Sequence, residues 1–397
     1  MELLQRENPR TIRLIEYLEL LISKQAGKAE FQAYEADLHS TNPFEVNDVL
    51  DHILSSCVDV ESLAAPVSQF IRSVSKSLEA YLKPTYPKEH LIYSLSAENR
   101  ELQEFSSHMQ RLSMAIQQTG KRSVQEHADG TKESSTVKEP EQSESFGTLK
   151  ALIASNDMLS SHYVRLQNEL FPLFEMAEAH HSCVKLMWAL QDRTLALRKE
   201  VLSGPSSLAE FWKTFGQFYS HVQTLLYREE HILFPVAYGA IPKERATEKG
   251  IPADVQVDRQ TRLQPALFVS PTGSLDLAVL EQIFRLLPLD IAFIGSDDRL
   301  QFYSDPPHRI FPRSPQLIGR MVQNCHPPKS VAVVEKILTS FKDGSEDSAE
   351  FYLTVGGKFV HIEYFAVRNA ELSYLGTLEV TQDASHLREL VGEKRLL

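Results

Sequence analysis

The hydrophobic period of this chain changes once, near residue 275, and that change limits what the chain can fold into. Before it, apolar residues recur at three- and four-residue spacing in one segment after another. Phe211, Phe215, Phe218, Val222, Leu225, Leu226 and Leu233 make such a stripe within 206–238, as expected of a helix with one buried face. After it come short runs that alternate or are continuously apolar: LDIAFIG, RLQFYS, AEFYLTV, KFVHIEYFAVR and YLGTLEVTQ. Those are strand signals, bounded by Ser296-Asp297-Asp298 and by Gly356-Gly357. At 397 residues the chain is too long for one ordinary core, so an α region followed by an α+β domain is expected.

Within the α region, residues 9–83 read as helices. Asn42 is placed to cap one of them, with Pro43 at its first position and Glu45 in its first turn. Pro66 falls inside the next periodic segment and predicts a kink or an interruption there. Four longer helical segments follow within 88–240: Lys88 to Gln118, then 147–178, 180–203 and 206–238. Four such helices suffice for a bundle. The polar stretch at 119–146 lacks large apolar residues and is expected to be a disordered loop. Residues 241–275, rich in Pro and charge, read as a linker. In the last part, the run from Ser330 to Gly344 reads as a helix that Gly344 stops.

Charge and cysteine usage narrow the function classes. With 41 basic and 53 acidic residues the net charge is −12, which opposes binding to nucleic acid or to an anionic membrane. The most apolar stretch, Leu277 to Ile294, is interrupted by Glu281, Arg285 and Asp290 and cannot span a bilayer. Cys57, Cys183 and Cys325 are scattered, with no CxxC pair, which fits a reducing cytoplasm. No P-loop, GxSxG or HExxH motif is found, so no enzyme is expected.

The motifs LPLDIAFIG, RIFPR, IGRMVQNCHPPKSV, AEFYLTVGGKFVHIEYFAVR and YLGTLEVTQD resemble a PAS domain, covering Asp276 to Leu397. More widely, the chain is similar to a three-part bacterial and archaeal family. That family joins an uncharacterised N-terminal helical domain (here 1–83), a hemerythrin-like HHE four-helix bundle (88–240) and a C-terminal PAS domain with a five-stranded antiparallel sheet (276–397). The resemblance implies a ligand or partner held between sheet and crossing helices. Cys325 and His326 lie in that crossing region. His326 reads either as a haem ligand or as a His-Pro connector, and Cys325 either as a redox-sensitive thiol or as a small packed residue. Arg313 and Arg320 read either as anion-holding or as solvated or backbone-bonding residues, and His361 as an ordinary strand histidine.

AENREL, SHYVRLQNELFPLFE, KLMWALQDR and YREEHILFP carry the resemblance to the hemerythrin-like domain. It implies histidines and carboxylates from facing helices around iron, since buried cations need anionic and imidazole donors. Here the positions carry Tyr93, Gln167 and Gln191 instead, and only His90, His162 and Glu230 remain as candidate ligands. His162 and Glu230 are expected to persist as a polar pair.

The resulting expectation is a non-catalytic cytoplasmic sensor or interaction protein. Its PAS domain would sense a small ligand or redox state, and its bundle would have largely lost its di-iron ligands. With no output domain after the PAS motifs, signalling would pass through a protein partner or a PAS homodimer. The alternatives are an iron- or oxygen-binding metal protein, or a haem-binding PAS sensor.

Overall fold

The computed structural model describes residues 8–57, 59–128, 144–203, 207–243, 245–246 and 267–394. The chain divides into two compact units, 1–248 and 249–397.

Among the described residues, eleven α-helices build the first unit. Helices α1 (Pro9–Ile22), α2 (Lys28–Leu38), α3 (Pro43–Ser55) and α4 (Ala64–Ala80) come first. Asn42 caps α3 as expected: its side chain accepts from the backbone N–H of Phe44 and Glu45, while Glu45 reaches back to the Asn42 N–H. Pro66 does not kink its helix but follows an interruption, where the 3-10 turn Val60–Leu63 gives way to α4 at Ala64. It falls in the first turn of α4, where the missing N–H has no intrahelical acceptor to lose.

The long α5 (Leu91–Ala128) overruns its expected end at Gln118 and takes in the start of the stretch read as a loop. Lys, Arg, Gln and Glu are good helix formers, so this extension needs no apolar face. Helix α6 (Glu144–Ser155) then begins within that stretch, whose centre, 129–143, lies outside the described residues. Next come α7 (Met158–Arg165), α8 (Phe171–Ala177), α9 (Cys183–Ser203), α10 (Leu208–Arg228) and α11 (Phe234–Ala240).

Two five-residue π turns, Leu166–Leu170 and Glu229–Leu233, join α7 to α8 and α10 to α11. In each, a Phe N–H bonds a carbonyl five residues back: Phe171 to Leu166 and Phe234 to Glu229. The residue after each Phe is a proline, Pro172 or Pro235. A proline ring clashes with the carbonyl four residues back in an α-helix, and the wider turn relieves that clash.

One hydrophobic core runs from Leu14 to Ala246, so helices before Pro84 share their packing with those after it. Part of the expected linker belongs to this unit as well. Ile241 and Ala246 are buried, and the Ala246 carbonyl accepts from the N–H of Leu91, the first residue of α5.

In the second unit, β1 (Leu267–Ser270) and β2 (Gly273–Asp276) form a hairpin where the linker was expected to continue. Pro271-Thr272 turns it, and Gly273 follows with a positive φ of 146°. Helix α12 (Leu277–Leu286) precedes a five-stranded antiparallel sheet. Its strands are β3 (Asp290–Gly295), β4 (Leu300–Tyr303), β5 (Ser348–Val355), β6 (Lys358–Arg368) and β7 (Tyr374–Asp383), in the order β4-β3-β7-β6-β5. Gly356 and Gly357, both at positive φ, make the two-residue turn from β5 to β6. Helix α13 (Pro328–Asp343) ends at Gly344 in the left-handed conformation and lays Leu338 and Phe341 into the core. The short α14 (Ser385–Glu389) follows β7.

Candidate functional site

In the second unit the sheet has an inner face, covered by α13 and by the segment 304–327. Ala292 packs there with Leu300, Leu317 and Cys325, and Ile294 with Val322 and Leu338. The strand register puts Thr377, Glu379 and Thr381 of β7 on the same face. Tyr364 of β6 lies directly opposite Glu379. A carboxylate in the middle of a buried sheet face needs a counter-ion, and Arg313 supplies it. Its Nη2 donates to both Glu379 oxygens, at 3.2 and 3.3 Å.

The sequence around Arg313 explains its aim. Asp290, at the start of β3, accepts from the backbone N–H of Ile310 (2.8 Å) and Phe311 (3.3 Å) and lies 3.9 Å from Arg309. That clamp fixes the RIFPR segment across the sheet and turns Arg313 inward. Burial pulls the Arg313 guanidinium down, but Glu379 outweighs it and holds the pKa above the usual arginine value. Burial, and then Glu379, push the Tyr364 phenol well above its ordinary range. This is a permanent ion pair beside a neutral phenol. On the covering segment, Arg313 Nε has no acceptor and Gln316 Oε1 no donor. A buried donor and a buried acceptor without partners are what a small polar molecule would satisfy.

The expected cofactor residues sit at the edge of this network. Cys325 is half-buried and donates weakly to the Met321 carbonyl at 3.5 Å. His326 donates from Nδ1 to the Val322 carbonyl at 2.8 Å, which caps the 3-10 turn Val322–Cys325 just before Pro327 and Pro328. Those contacts fit the connector reading of His326. Arg313, read as solvated or anion-holding, is instead a buried partner of Glu379. Arg320 is buried as well. His361 lies on the opposite sheet face from Tyr364 and bonds Glu350 at 2.7 Å.

In the first unit, the expected pairing of His162 with Glu230 is not found. His162, 0% exposed, lies between Glu98 of α5 (Nδ1, 2.6 Å) and Glu229 at the end of α10 (Nε2, 3.1 Å). Glu230 turns elsewhere, accepting from Ser96 (3.0 Å) and lying 3.6 Å from Lys83. The π turn is the reason. Counting four residues back from Phe234 reaches Glu230, but the hydrogen bond here spans five and reaches Glu229. Glu98 lay in plain sight within AENREL, although nothing in its spacing marked it as a partner of His162.

Two ionised carboxylates accept from both ring nitrogens only if both carry hydrogen, so the ring is an imidazolium. Burial alone would lower its pKa. Glu229 and Glu98 overcome that and push it up to about 9. Glu98 is shared with Arg165, which also bonds Glu169 and Ser94. An imidazolium has no lone pair to offer, and among the described residues no group of three or more His, Cys, Asp and Glu is arranged to hold a metal ion.

The other ligand positions are engaged in part, since His90 Nε2 and Gln191 Nε2 are buried without a hydrogen-bond partner. Gln167 Nε2 donates to Gln191 Oε1 at 2.9 Å. His90 accepts from the Ile92 N–H at 3.1 Å, capping α5, and its ring packs 5.0 Å from that of Tyr238. Tyr93 is exposed. These side chains do not fit a di-iron centre.

Residues 280–385 match the family described as PAS domain. Among solved structures, the chain is similar to the C-terminal domain of a protein from Streptococcus mutans, with 32% identity and a TM-score of 0.31 over 32% of this chain and 98% of that one. It is also similar to the PAS domain of a protein from Colwellia psychrerythraea (12% identity, TM-score 0.23, 28% of this chain and 98% of that one). A third likeness is to a sensory box sensor histidine kinase from Vibrio cholerae (10%, 0.21, 27% and 90%). No curated protein matches the chain. Among the described residues no helix is long and apolar enough to cross a membrane. The five-stranded sheet of the second unit, with the helix and crossing segment on its inner face, is a PAS domain.

Proposed function

We propose that this protein is a non-catalytic sensor whose PAS domain takes up a small polar molecule against the inner face of its sheet. The observation that carries this reading is the Arg313–Glu379 pair, buried opposite Tyr364 with Arg313 Nε and Gln316 Oε1 unpartnered. A ligand offering an acceptor and a donor satisfies both atoms and pulls on Arg313. Because Asp290 ties the same segment to β3, that pull reaches the strands. In this reading the helical unit is a hemerythrin-like bundle whose iron site has been replaced by the Glu98–His162–Glu229 cage and the Gln167–Gln191 bond. Output passes to a protein partner or a second copy.

The test is native mass spectrometry and an absorption spectrum of full-length protein purified from iron-replete cells, with iron analysis. A small molecule that is retained by the wild type and lost in Arg313→Met supports the reading. A Soret band lost in His326→Ala would replace it with a haem sensor. Two irons per chain would replace it with a metal protein.

A further inference from the structure

The helical unit contains an internal repeat that provides its own control experiment. Arg165 to Pro172 reads RLQNELFP and Arg228 to Pro235 reads REEHILFP, each spanning the same five-residue π turn and followed by a seven-residue helix. Arg165 and Arg228 are therefore equivalent positions, but their surroundings differ. Arg165 finds Glu169 four residues on, at 3.1 Å, and Glu98 from α5. Arg228 finds Ile232 four residues on.

Arg228 is 4% exposed, and among the described residues no carboxylate lies within ion-pair distance of it. Its Nη2 donates to Ser68 Oγ at 2.9 Å, and its Nε has no acceptor. Burial lowers its pKa to about 10, below the usual arginine value. A buried guanidinium without an anion is costly, because lost hydration is not replaced by an opposite charge.

Arg228 lines a cleft of about 960 Å³ between α4, α5 and α10. The cleft also holds Arg72, Lys83 and Arg100 against Glu79 and Glu230, so it is cationic by two charges in a chain whose net charge is −12. Lys83 is partly engaged by Glu230 at 3.6 Å, whereas among the described residues Arg72 and Arg100 have no acidic partner. Tyr219 and Tyr227 give one wall an aromatic surface, Tyr227 stacked on His231 at 4.4 Å.

From the unpaired Arg228, the excess of positive charge and the aromatic wall, we infer that this cleft is a binding site for a small organic dianion, a phosphate monoester or a dicarboxylate. Arg228 takes the buried anionic group in its fork, with Ser68 holding the guanidinium in place. Arg72 and Arg100 attract the second charge from the rim, and the ligand's body lies against Tyr219 and Tyr227. This inference stands apart from the PAS reading, since every residue in it belongs to the helical unit.

Isothermal titration of the full-length protein with inorganic phosphate, phenyl phosphate and succinate tests it. The expected result is saturable binding of at least one probe at about a 1:1 ratio, tighter for phenyl phosphate than for inorganic phosphate. Phosphate or succinate as the better headgroup identifies the class. Arg228→Met removes an uncompensated charge, so it should fold at least as stably as the wild type and bind at least tenfold more weakly. Arg100→Gln, on the rim, should weaken binding severalfold with no change in unfolding midpoint. Absence of saturable binding by all three probes overturns the inference. So does undiminished binding by Arg228→Met, and so does a destabilised Arg228→Met whose Arg100→Gln counterpart binds as tightly as the wild type.

Discussion

His162 should make the stability of the helical unit fall as the solution becomes alkaline, against the habit of most proteins near neutrality. Its pKa in the folded protein is about 9, against 6.5 for an ordinary imidazole. The folded state thus keeps a proton that the unfolded chain gives up. The sign follows: the contribution is complete below pH 6.5 and is lost as pH rises through 9. At about 1.4 kcal/mol for each pH unit between those values, the cage contributes about 3 kcal/mol, most of it lost between about pH 7 and about pH 10.

Urea unfolding followed by tryptophan fluorescence reads this directly, because both tryptophans, Trp188 and Trp212, lie in the helical unit. Other titrating groups act on the wild type and on His162→Gln alike, so the difference between the two curves isolates the ring. That difference should shrink by about 2–3 kcal/mol over the interval. If His162→Gln does not fold, the ring's own NMR titration carries the test, and its resonance should remain that of an imidazolium at about pH 8. Parallel wild-type and variant curves, or a ring titrating near 6.5, would refute the reasoning.

Glu229→Gln leaves the buried ring with a single carboxylate, and the unfolding midpoint should fall by the equivalent of about 3 kcal/mol; an unchanged midpoint counts against the cage. In the PAS domain, Arg313→Met strands Glu379 in the core and should cost about 3–5 kcal/mol in calorimetry, while Arg313→Met with Glu379→Leu should recover most of it. If the double variant is as unstable as the two single losses combined, the pair is not coupled. Gly357, at a φ of 80° in the β5–β6 turn, should lose about 1–2 kcal/mol on substitution by Ala, checked by the same calorimetric transition.

What the sequence disclosed, and what it hid, follows the range of the interactions involved. The cap on α3 was readable because Asn42, Pro43 and Glu45 act within one turn, and the β5–β6 turn because Gly356-Gly357 permits a backbone few other pairs adopt. The change of period separated the helical unit from the sheet for the same reason: periodicity is local. Three features were missed because local signals were overridden. Pro66 looked like a helix breaker, yet only its distance from the helix start decides its effect. Ile241 and Ala246 sit in a Pro- and charge-rich run but pack back onto the core. Glu230 is the carboxylate that a count at 3.6 residues per turn selects, and the count fails where the helix is wound more loosely and Glu229 meets His162 instead. Glu379 for Arg313, Glu98 for Arg165 and Ser68 for Arg228 come from elements distant in sequence, and no spacing rule reports them.

Each π turn gives its helix one residue more than the straight ladder of bonds requires. Removing a single residue from a buried helix normally swings everything beyond it by about 100° and wrecks the packing. Here, deletion of His231 would close the segment before Pro235 into ordinary α winding and set the Pro235 ring against the carbonyl four residues back, the clash that the wider turn avoids. At these two points, therefore, the chain can be shortened by one residue without moving its far end only where the proline is exchanged as well; one adjoins the half-buried Arg165 and the other the buried Arg228.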